Sequence, residues 1–159
     1  MLFISLVLTL VPAASAGYGQ VYPDKLDLNN NYNIRYIVGP VGEISSDTDN
    51  THVYSQTTFK LSKGETKYHS SPKLGKQIHW LEVDLRWKVP SNPLVLKIYS
   101  PSGTFLGTFH DNSEGKIDAR IHLSIYPGEG YIEEGKWRFV INGESASETQ
   151  TYTLGLYGH

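Results

Sequence analysis

From Leu81 onward the chain alternates. Leu81, Val83, Leu85 and Trp87 are separated by Glu82, Asp84 and Arg86, with Trp80 leading in on the polar phase. Period-two patterning of this kind marks a strand with one dry face. Pro90, Asn92 and Pro93 stop it, and Leu94, Leu96 and Ile98 resume the alternation against Val95, Lys97 and Tyr99. Ser100-Pro101-Ser102-Gly103 then supplies the fixed φ and the permissive residue of a tight turn.

The same signature recurs. Ile121, Leu123 and Ile125 alternate with Arg120, His122 and Ser124, and Trp137, Phe139 and Ile141 alternate with Lys136, Arg138 and Val140. Tyr152, Leu154 and Leu156 read as a closing strand, and Thr104 to Phe109 as a short one. Upstream, Ile34 to Val38, Thr51 to Leu61 and Thr66 to Leu74 are strand candidates, with Pro72 placing the last at an edge or strand end. No segment after residue 16 carries an i, i+3, i+4, i+7 apolar stripe. Roughly eight to nine strands with turns every 8 to 15 residues or so predict an all-β chain. The expected architecture is a two-sheet antiparallel β-sandwich, jelly-roll or Greek-key, with an immunoglobulin-type sandwich as the runner-up.

The chain has 159 residues, enough for one domain with a real core. Its formal net charge is −2 and its basic residues are scattered, which argues against nucleic acid as a partner. Residues 1–16 read as a signal peptide: Leu2 to Val11 is almost wholly apolar, and Ala14-Ser15-Ala16 is a small-x-small cleavage signal before Gly17. Residues 17–50, rich in Asn, Asp, Gly and Tyr, are expected to be a loosely structured lead-in with one short strand, and residues 51–159 the sandwich. Cysteine is absent, so the exported part must hold by packing alone. With no Cys for a lipid and no second long apolar segment, the expectation is a secreted, extracellular protein of prokaryotic type, without a transmembrane anchor after signal cleavage.

Candidate chemistry is sparse. Asp111, Glu114 and Asp118 fall in one loop, and Asp47 and Asp49 in another; if the fold brings them together, their oxygens suit calcium, which binds several carboxylate and carbonyl ligands. The alternative is a solvated acidic turn, and no cofactor is required. The six histidines show no HExxH grouping; zinc would need a pair such as His79 and His122 facing each other on neighbouring strands. Enzyme activity is not expected. There is no G-x-S-x-G element, and Glu133 and Glu134 would face opposite ways on a strand. A hydrolase would need two carboxylates converging in a cleft. Trp80 and Tyr99, aromatics on the polar phase of their strands, are the candidate ligand-binding platforms, the alternative being that they pack under a loop or sheet edge.

The runs Trp80 to Trp87, Leu94 to Gly103, Gly135 to Gly143 and Thr151 to Leu154 together resemble the bacterial and archaeal pre-peptidase C-terminal domain. The shared features are the alternating strand, the Ser100-Pro101-Ser102-Gly103 turn, the Gly135-Lys136-Trp137 hairpin and the closing Tyr152 strand, over roughly Thr58 to Tyr157. The resemblance implies a non-catalytic β-sandwich that accompanies secreted enzymes, in some cases binding calcium or polymeric substrates. Two functions follow as expectations. One is an exported interaction or accessory domain, whose partner is a protein or a polysaccharide; the other is a carbohydrate-binding module stabilised by calcium.

Overall fold

The computed structural model describes residues 31–37, 52–111, 117–143 and 149–159. They form nine strands: β1 (Tyr32–Tyr36), β2 (His52–Leu61), β3 (Thr66–Ser70), β4 (Leu81–Trp87), β5 (Val95–Tyr99), β6 (Phe105–His110), β7 (Arg120–Pro127), β8 (Arg138–Asn142) and β9 (Gln150–Gly158). One sheet has the order β1-β7-β4-β9-β2 and the other β3-β8-β5-β6. All recorded strand pairings are antiparallel.

The pairing has a simple logic. From β2 to β9 the chain behaves as one long hairpin: β5 pairs β6, β4 pairs β7, β3 pairs β8 and β2 pairs β9. Rolling that hairpin on itself adds β4 against β9 and β5 against β8 and splits it into two facing sheets. This is the jelly roll, one of the two topologies the strand count predicts. β1 adds a fifth strand beside β7, from Tyr32 opposite Pro127 to Tyr36 opposite Leu123.

The core lies between the sheets and is built by the alternating residues. Leu81, Val83 and Leu85 of β4, Leu96 and Ile98 of β5, Ile121, Leu123 and Ile125 of β7, and Phe139 and Ile141 of β8 are fully buried. Trp137 joins them from the residue before β8. With no disulfide, this apolar interior carries the stability, each large side chain contributing about 1.5–3 kcal/mol.

Three strand expectations shift. The first strand is Tyr32–Tyr36 rather than Ile34 to Val38, with Ile37 bonding through its backbone N–H to the His122 carbonyl and Val38 outside the described residues. β3 ends at Ser70; the Ser71 N–H still bonds the Trp137 carbonyl, and Pro72, which has no N–H, stops the ladder before Leu74 regains one bridge to Gly135. Glu82 and Asp84, expected on a wet face, are 1% and 5% exposed. The outer face of the five-stranded sheet therefore holds a buried polar layer.

A β-bulge shapes the other sheet. Ile98 pairs with Gly107 but Tyr99 pairs with Phe105, so Leu106 is the extra residue. Gly107 takes φ +151°, a conformation side chains rarely adopt. The bulge turns Leu106 inward, where it is buried, and throws Phe105 outward beside Tyr99.

Candidate functional site

Asp111 directly follows β6 and its side chain turns inward, 3% exposed. Its Oδ1 accepts the backbone N–H groups of Asp118 (3.1 Å) and Arg120 (3.4 Å), and its Oδ2 that of Ala119 (3.1 Å). The carboxylate thus anchors the re-entry into β7 across a loop in which Ala119 holds φ +61°. Asp118 is exposed, and Glu114, Asp47 and Asp49 lie outside the described residues. Among the described residues, no group of three or more His, Asp or Glu side chains is arranged to hold a metal ion.

His79 and His122 do not face each other: His79 packs against Tyr131 at 4.9 Å, whereas His122 stands in register with Asp84 and reaches Glu82. Glu82 Oε1 is 2.6 Å from His122 Nε2, and its Oε2 is 3.0 Å from His159 Nε2. Burial raises the cost of this carboxylate's charge, but hydrogen bonds and charge from the two imidazoles outweigh it and hold the Glu82 pKa down to about 2. Beside it, Asp84 accepts Arg120 Nε at 2.7 Å and pairs with Arg86 Nε at 2.7 Å. Burial, followed by the Asp84 and Glu82 charges, pushes the Tyr157 hydroxyl pKa up. These groups serve one another.

Trp80 closes that layer. Its ring lies parallel to the His159 imidazole at 3.7 Å and 4°, and stacks on Tyr126 at 5.5 Å. One face of this candidate platform is therefore occupied by the protein itself. Tyr99 is half-buried on the outer face of the four-stranded sheet, with the Phe105 ring at 5.1 Å and the Arg138 guanidinium 5.2 Å from its centroid.

An open cleft lies where β1 meets the end of β7, with a volume of about 770 Å³ and a lining that includes Asn31, Tyr32, Asn33, Glu129, Tyr131 and Glu133. Its walls are built by β1 pairing and by a 2.6 Å bond from the Gly128 N–H to the Asn31 carbonyl. Glu133 is fixed from three sides: its Oε2 accepts the Tyr32 hydroxyl (3.2 Å) and the Ser102 hydroxyl (3.1 Å), and its carbonyl accepts Trp137 Nε1–H (3.1 Å). Burial, then the Glu133 charge, raises the Tyr32 pKa, so the phenol stays a donor. Tyr32 also meets Trp137 edge-on at 5.4 Å, while the Tyr131 ring is 50% exposed. A shallow wall of tyrosines, amides and carboxylates offers stacking area with acceptors and donors close by.

Sequence reasoning missed this cleft because its parts come from β1, the Pro127 to Gly130 turn and the segment before β8, more than a hundred residues apart at the extremes. The available signal was composition: Tyr131 and Glu133 sit inside a Gly-rich, Glu-rich connection.

No family model matches the chain, and none of the curated proteins does. Among solved structures, the CspB protease of Clostridium perfringens is similar over 64% of this chain at 16% identity, with a TM-score of 0.48. This chain spans only 25% of that structure. No helix among the described residues is long and apolar enough to cross a membrane.

Proposed function

We propose that this chain is an exported, non-catalytic β-sandwich that acts as an interaction or accessory domain, as the pre-peptidase C-terminal resemblance implies, and that it holds a saccharide in the cleft beside β1. The observation that supports the reading is the cleft itself: a half-exposed Tyr131 ring as a platform, with the Glu133 carboxylate held in place by Tyr32 and Ser102. Sugars present apolar ring faces and rows of hydroxyl donors, which aromatic rings, amides and a fixed carboxylate accommodate.

A hydrolase is the competing reading, because Glu129 and Glu133 both border the cleft. Its case is weaker. Glu129 is exposed on a turn, and Glu133 is engaged by two hydroxyls through one oxygen, which suits a hydrogen-bond acceptor for ligand hydroxyls.

Calorimetric titration with cellohexaose, xylohexaose and chitohexaose tests both. Binding of at least one oligosaccharide, abolished by Tyr131→Ala and recovered with the sugar intact, supports the reading. No heat with any of the three removes the saccharide; shortened sugar that persists in wild type and vanishes in Glu133→Gln replaces the reading with the hydrolase.

A further inference from the structure

The outer face of the four-stranded sheet is chemically one-sided. The strands β3, β5, β6 and β8 contain no Asp or Glu, and their outward residues include Lys97 and Arg138 on the two central strands. Pairing arranges this face in rows. Tyr68, Val140, Lys97 and Thr108 stand abreast, and the next row is Ser70, Arg138, Tyr99 and Phe105.

Two of its three aromatics are exposed. Tyr68 is 78% exposed and Phe105 45%, an unusual exposure for large rings on a sandwich whose other sheet buries Glu82 and Asp84. Arg138 is exposed and stacked on Tyr99, so its planar fork is oriented while its hydrogen-bonding edge stays available. At Gly103, a methyl group would stand 3.7 Å from an Arg138 guanidinium nitrogen, so the turn after β5 lies close beside the cation.

Ring stacking and a bidentate cation on one flat surface suit a ligand that alternates planar apolar faces with carboxylates. Two cations amid three aromatics, on a chain of net charge −2, make a poor match for nucleic acid or an anionic bilayer, whose charge density calls for a basic cluster. We propose that this sheet face binds an acidic polysaccharide of the uronate type, lying across Phe105 and the Arg138–Tyr99 stack with a carboxylate on Arg138 and a second near Lys97. Its residues are not among those that line the cleft.

Affinity electrophoresis in gels containing polygalacturonate, or the same polymer fully methyl-esterified, tests the assignment. The expected result is retardation by the acid form only, relieved by raising salt. Arg138→Gln should weaken it by about tenfold, as loss of a charge-assisted pair does, and Tyr68→Ala, at a site too exposed to disturb folding, should weaken it severalfold. Tyr131→Ala, in the cleft, should leave it unchanged. Equal retardation by the ester, no retardation by either polymer, indifference to Arg138→Gln in a variant with a wild-type unfolding midpoint, or loss with Tyr131→Ala would each overturn it. So would tighter binding to dextran sulfate or to phosphatidylglycerol vesicles than to polygalacturonate.

Discussion

Glu82 Oε1 and His122 Nε2 lie 2.6 Å apart, and both side chains are shut off from solvent, at 1% and 0% exposure. A buried carboxylate costs several kcal/mol unless donors surround it, and His122 and His159 supply one on each oxygen. His122→Ala is therefore expected to destabilise by roughly 2–4 kcal/mol, because it strands a charge. Pairing it with Glu82→Leu should recover part of that loss, since the charge is removed with its partner. Urea unfolding of both variants checks this; equal or additive losses would contradict it.

The same pair sets a pH dependence. Glu82 has its pKa near 2 when folded against an ordinary value of 4.5, so the unfolded chain binds the proton more tightly between those values. The stabilisation is complete above about pH 5 and is lost as pH falls toward 2, amounting to roughly 2–3 kcal/mol. Urea midpoints measured from pH 6 down to pH 2 should fall more steeply in wild type than in Glu82→Gln. Parallel curves would show that the carboxylate contributes nothing.

Strand alternation made the inner faces legible. Leu81, Val83 and Leu85 point inward because a period-two pattern with one apolar face has a single way to satisfy a sandwich. The opposite phase was not legible. Glu82 and His122 look like ordinary wet-face residues until β4, β7 and β9 are set side by side, since their pairing is between segments 40 residues apart and their cover includes Trp80 stacked on the terminal His159. Phe105 escaped for a local reason: the bulge at Leu106 inverts the phase of β6, and alternation read without it places Phe105 inside.

Gly158 closes β9 against an aromatic ring. A Cβ there would come within 2.6 Å of a Tyr54 ring carbon and 3.4 Å of Ile78, a crowding that only displacement of the ring relieves. Gly158→Ala is expected to cost about 1–3 kcal/mol, the usual range for overpacking, and Tyr54→Ala in the same chain should remove the clash. Thermal midpoints of the single and double variants decide it. A double variant no better tolerated than expected from additivity would place the strain elsewhere.

Asp111 separates a structural role from a calcium role. Its two oxygens take three backbone N–H groups at the start of β7, and removing the side chain takes these acceptors away beside the buried Ala119. Asp111→Ala is therefore expected to lower stability by roughly 2–3 kcal/mol, with Asp111→Asn losing less because one oxygen remains. The loss should be the same in chelator as in millimolar calcium if the carboxylate serves the turn alone. A wild-type midpoint raised by calcium, with the rise abolished in Asp111→Asn, would instead show that a cation bound only by the folded state draws on this side chain.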